Sequence, residues 1–113
     1  MPASEARQAH LVPVLGQALA LEEQWHAQAL RSDFLQTLWQ DLQKAPQQRR
    51  VALYVEKGFI NKVTAVRMHI SERMVEVHKA RAFEKLGVDS AAELSTTLAE
   101  MRACGIDVGS VPE

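Results

Sequence analysis

Between Asn61 and Glu84 the chain gathers cations, carboxylates and short apolar residues at spacings that suit contact with a nucleic acid. If Glu72 to Leu86 is a helix, Val75, Ala82 and Leu86 share one face, with Phe83 at its border, and that face must be core. The opposite face carries Arg73, Val77, Ala80 and Glu84, flanked by Glu76 and Arg81. So mixed a face, with small or short apolar members, is odd for a merely solvated surface and suits insertion into a groove. An α-helix fits the major groove of B-DNA, where its first turns meet base edges and neighbouring cations meet phosphates. In that setting Arg73 can reach a guanine or a phosphate, Glu76 can accept from a cytosine amino group, and Val77 can touch a thymine methyl. Lys79 and Arg81 suit phosphates, as do Asn61 and Lys62 at the start of the preceding helical segment.

Other chemistries find less support. His69 and His78 lie nine residues apart, with neither a cysteine nor a carboxylate cluster joining them at ligand spacing, so no metal and no cofactor is expected. Cys104 reads as a small buried or half-buried apolar residue near a helix end, and no base is placed beside it to make it a nucleophile. Glu72 and Glu76 form a carboxylate pair on a small domain that offers no cleft, so the protein is not expected to be an enzyme. Glu76 also has a plainer reading, as an exposed partner for Arg73 one turn back.

These residues need a frame, and the punctuation supplies one. The stretches between prolines and glycines are rich in Ala, Leu, Gln, Glu and Arg, without sustained β-branched alternation, so the fold class is all-α. Pro46 suits the first turn of a helix reaching Lys57, with Gly58 as its left-handed end. Asn61 can cap a short helix from Lys62 to Met68. After His69-Ile70-Ser71, Ser71 can cap the helix from Glu72 to Leu86, which Gly87 closes. Ser90-Ala91-Ala92-Glu93 reads as a capping box opening a last helix through about Ala103. A short helix, a three-residue turn and a longer helix outline a helix-turn-helix.

The run from Asn61-Lys62-Val63-Thr64-Ala65, through Ile70-Ser71-Glu72-Arg73-Met74-Val75-Glu76-Val77-His78-Lys79-Ala80-Arg81, to Glu84-Lys85-Leu86-Gly87-Val88, resembles the LuxR/FixJ-type (GerE-like) DNA-binding domain. The nearest variant is that of FixJ-type response regulators, whose recognition helix reads Val-Glu-Val-His-Arg, against Val75-Glu76-Val77-His78-Lys79 here. The resemblance spans residues 44 to about 104. It implies a helical domain that binds DNA as a dimer and reads the major groove with its second-last helix. The DNA-contacting set it supports is Asn61, Lys62, Arg73, Met74, Glu76, Val77, Lys79, Ala80 and Arg81. The chain departs from the family pattern in several places. Lys44-Ala45-Pro46-Gln47-Gln48 stands for Leu-Thr-Pro-Arg-Glu, Val63-Thr64 for Glu-Ile, His69 for the glycine of the turn, and Met74 for Thr. Histidine tolerates a left-handed backbone better than most residues, so the turn survives.

The first 45 residues show a 3-4 spacing of Leu11, Val14, Ala18, Leu21 and Trp25, then of Leu35, Trp39 and Leu42, with polar Gln28 and Ser32 between. This gives one amphipathic helix, or two divided near Ser32-Asp33. It either packs on its own domain or forms a seam for a partner helix, with Trp25 and Trp39 suiting both. The expected organisation is an arm over residues 1–44, the four-helix domain over 45–104 and a flexible tail over 105–113. Dimer contacts fall to Leu21 and Trp25 of the arm and to Leu94, Leu98 and Met101 of the last helix, which also fit a core.

Charge divides in the same way. The net charge of −1 over 113 residues argues against indiscriminate coating of nucleic acid or membranes. It sums residues 46–104, with ten basic and seven acidic groups, and an acidic arm and tail. A single cysteine, no apolar run of about 18 residues and no signal-peptide pattern in Met1–Gln8 point to the cytoplasm. Two functional readings follow. One is a sequence-specific transcriptional regulator acting as a homodimer on double-stranded DNA, alone or as the output part of a response regulator. The other is a repurposed helix-turn-helix that binds and modulates another regulator, favoured by Glu72, Glu76 and Glu84 along the groove helix.

Overall fold

A computed structural model describes residues 27–111, and in these residues the protein is helical, without strands. Helix α1 covers residues 27–43 in the described part, followed by α2 (Pro46–Glu56), α3 (Asn61–Met68), α4 (Glu72–Leu86) and α5 (Ala91–Ala103). Of the two readings, one helix or two divided near Ser32-Asp33, the described residues show a helix that runs through both positions. Leu11, Val14, Ala18, Leu21 and Trp25 lie outside the described residues.

Helix α2 is the centre of the fold. Val51 to Val55 are five consecutive buried residues, so the middle of this helix is enclosed on every side. Helix α4 packs on α2 and α3, and α5 closes over α2 and α4. Leu35, Trp39 and Leu42, read as part of the arm, join the same core, so the compact unit begins at Phe34. The described residues 27–33 fall outside that unit.

The helix ends follow local chemistry with two exceptions. Ser71 and Ser90 cap α4 and α5, their hydroxyls accepting from the N–H groups of Met74 and Glu93 at 3.1 Å. The Glu93 carboxylate accepts from the N–H of Asp89, one residue before the cap, at 2.7 Å, so the box closes one position earlier than expected. Asn61 does not cap α3. Ile60 holds the N-cap in an extended conformation and Asn61 is the first helical residue. The buried Thr64 hydroxyl donates to the Ile60 carbonyl at 3.1 Å, which satisfies the one polar atom that the change from Ile to Thr brings into the core. His69 takes the turn at φ 57°, ψ 41°, the left-handed conformation the glycine would otherwise supply.

The segment expected to be a flexible tail is part of the core. Ile106, Val108 and Val111 are buried, and Gly109 turns the backbone so that its carbonyl accepts from Arg102 at 3.1 Å. The same guanidinium donates to both carboxylate oxygens of Glu56, at 2.5 and 2.7 Å, joining α5, α2 and this strap. The hydrogen bond and charge of Glu56 hold Arg102 further above its ordinary basicity than burial lowers it.

Candidate nucleic-acid interface

Helix α4 is held by one side and offers the other. Val75, His78, Ala82 and Leu86 are buried, and the short α3 and the turn at His69 fix where α4 begins. The exposed side holds Arg73, Met74, Glu76, Ala80, Arg81 and Glu84, with Val77 half-buried among them. Arg73, Val77, Ala80 and Glu84 follow one another at helical spacing along the middle of that side. No ion pair joins Arg73 to Glu76, so the plain intrahelical pairing is not made.

The two flanks of α4 carry different cations. On one side Lys79 is half-buried, its ammonium 5.6 Å from the centre of the Phe83 ring, and it lines a surface cleft of about 510 Å³ together with Asn61, Lys62 and Glu72. That cleft brings the start of α3, where backbone N–H groups are unpaired by the helix, to the Lys79 flank of α4. On the other side Arg81 and Lys85 meet Gln48 of α2 and Glu84 around a second cleft. Cations therefore stand on both shoulders of the exposed face, an arrangement that can hold two phosphate chains while the middle meets what lies between them.

Of the residues expected to touch DNA, Arg73, Met74, Glu76, Val77, Ala80 and Arg81 share the outward side of α4, while Asn61, Lys62 and Lys79 gather beside it. The last-helix dimer contacts do not survive. Leu94, Leu98 and Met101 are each 0% exposed, because their i, i+4, i+7 stripe faces α5's own core and has nothing left for a partner. Leu21 and Trp25 lie outside the described residues.

His78, weighed in the sequence beside His69 as a metal ligand, is a core-facing residue of α4. Only 9% exposed, it has no hydrogen-bond partner at either ring nitrogen and sits beside the first turn of α2 with Ala45, Pro46 and Gln48. Its spacing from Val75 and Ala82, three before and four after, was the available signal. Also unforeseen is an apolar exposed side on α3, with Ile60 at 65%, Val63 at 36% and Val66 at 70% exposure.

Residues 45–98 match the model of the family described as bacterial regulatory proteins, luxR family. Among curated proteins, the tetrathionate response regulatory protein TtrR of Salmonella typhimurium is 48% identical over 52 residues, which cover 46% of this chain and 25% of that protein. Response regulator protein TodT of Pseudomonas putida is 34% identical over 88 residues, 78% of this chain and 38% of TodT. TmoT of Ectopseudomonas mendocina, another response regulator protein, is likewise 34% identical over 88 residues, 39% of its length. The chain thus spans between a quarter and two fifths of the length of these relatives. No solved structure matches significantly.

Proposed function

From the premise that residues 45–98 are a luxR-family helix-turn-helix DNA-binding domain, related to the output domains of response regulators, we propose that the protein is a non-enzymatic, sequence-specific transcriptional regulator acting as a homodimer in the cytoplasm. The observation that carries this reading is the outward side of α4, where Arg73, Glu76, Val77 and Ala80 stand between cations on both shoulders. Lys62, Lys79 and Arg81 hold phosphates and fix the register; Arg73 and Glu76 meet base edges. The protein works alone or as the output part of a response regulator, as the similarity to TodT over 88 residues supports.

Dimerisation follows from the charge. A net of +3 over residues 46–104 supports roughly four phosphate contacts, too few for firm binding at physiological salt, and pairing two modules doubles the salt slope. The arm, through Leu21 and Trp25, is one candidate contact. On α5 the exposed residues include the small Ala92, Thr96, Ala99 and Ala103, and such side chains let a second copy approach closely.

A second reading has its own support. Ile60, Val63 and Val66 give α3 an exposed apolar side, and Glu72, Glu76 and Glu84 lower the attraction of α4 for phosphate, as in a domain repurposed to bind another regulator. Titration with a pool of random duplexes at about 50 mM salt separates the two. Under the first, the folded protein binds, and Lys79→Ala with Arg81→Ala abolishes binding; under the second, no duplex is bound, and Leu21→Ala with Trp25→Ala dissolves a protein complex instead.

A further inference from the structure

We propose that the centre of the α4 surface reads the 5-methyl groups of pyrimidines, so that the protein distinguishes thymine from uracil and 5-methylcytosine from cytosine in its site. The inference rests on the DNA-binding reading above and says which chemical feature of the duplex is recognised. The outward row of α4 is charged only at its ends, Arg73 and Glu84. Its middle is Val77, half-buried, and Ala80, exposed; neither side chain can donate or accept a hydrogen bond. Met74, 41% exposed, extends this apolar strip toward the helix start, where the Ser71 cap on its N–H holds its backbone in place.

A helix that brings such a strip to the floor of the major groove covers base edges that it cannot hydrogen-bond. Opposite a guanine O6 or an unmodified cytosine, it strips water from polar atoms and returns nothing. The one apolar feature of the groove floor is the C5 methyl of thymine, which 5-methylcytosine shares. Glu76 beside the strip offers carboxylate oxygens as acceptors, so it pairs with an exocyclic amine of cytosine or adenine and opposes guanine at its own position. The geometry therefore points to a half-site whose centre is one or two pyrimidines recognised by their methyl groups.

The test uses the full chain and duplexes selected from a random pool. Each thymine of the selected half-site is replaced in turn by deoxyuridine, which removes one methyl and leaves the Watson–Crick pairing unchanged. Affinity is expected to fall about three- to five-fold per methyl, the worth of one buried methyl group, at one or two neighbouring positions and nowhere else. Val77→Ala, checked for folding by circular dichroism, is expected to erase the penalty at one of those positions while keeping the salt dependence of binding. Where the selected base is a cytosine, 5-methylation is expected to tighten binding by a similar factor. Affinity unchanged at every uracil substitution overturns the inference and leaves DNA binding standing. Failure to select any duplex overturns the DNA-binding reading, and the inference with it.

Discussion

Helices α4 and α5 start alike, on serines whose hydroxyls accept from the N–H three residues on, and both bury a stripe against the same core: Val75, His78, Ala82 and Leu86 in one, Leu94, Leu98 and Met101 in the other. They differ in what remains outside. Helix α5 exposes Ala91, Ala92, Thr96, Ala99 and Ala103, while its exposed charges are spoken for, Glu93 by the N–H of Asp89 and Arg102 by Glu56 and Gly109. Helix α4 exposes arginines, glutamates, a methionine and short apolar residues, with Lys62 and Lys79 gathered on one shoulder and Arg81 and Lys85 on the other. Caps and the buried stripe decide that a helix forms and how it is seated. On the proposed reading the outward residues of α4 do the recognising, so stability and recognition fall to different side chains of one small fold.

This separation can be probed from either side. Removing buried volume from α5 should have the largest effect: Leu98→Ala, at a fully buried position, is expected to cost about 3 kcal/mol or more by denaturant unfolding and to weaken DNA binding only in proportion to the unfolded fraction. On α4 the pattern should invert. Arg81→Ala is expected to leave stability within about 0.5 kcal/mol, while binding weakens roughly uniformly across sequences and the salt slope drops by about one. The caps are the shared feature, so Ser71→Ala and Ser90→Ala should each cost about 1 kcal/mol of stability, and similar amounts, by thermal or chemical unfolding. Smallest of all should be Arg102→Gln. Its ion pair with Glu56 is part-exposed, and pairs of that kind contribute less than about 1 kcal/mol, so a modest fall in midpoint with unchanged DNA binding is expected.

The parts of the fold readable in the sequence are those fixed by local chemistry. Ser71 and Gly87 bracket α4 because a hydroxyl cap and a left-handed end residue act within one turn, and the bounds Glu72–Leu86 follow from them alone. Asn61 misleads because a good cap residue is a preference, and here Phe59 stacks edge-on against Tyr54 with ring centres 5.6 Å apart, leading Ile60 into the cap position instead. Ile106, Val108 and Val111 carry no helical period and lie among Gly105, Gly109 and Pro112, so their burial is a purely tertiary fact. Leu94, Leu98 and Met101 show the general difficulty with interfaces. Periodicity marks a stripe that must be covered but does not say whether the cover is the chain's own core or a second copy. The outward side of α4 was readable for the opposite reason: a mixture of charge and small apolar residues has no use in a core and little on a solvated surface.

The central claim is that the exposed side of α4, between its two cationic shoulders, binds duplex DNA. The direct measurement is the affinity of the folded protein for its selected duplex as a function of salt, in the wild type and in the Lys79→Ala/Arg81→Ala double variant. The account predicts a steep linear fall of log affinity with log salt for the wild type, of slope roughly −4 per module, and loss of binding in the double variant with unfolding unchanged. A wild-type affinity indifferent to salt, or a double variant that binds as the wild type does, would contradict it.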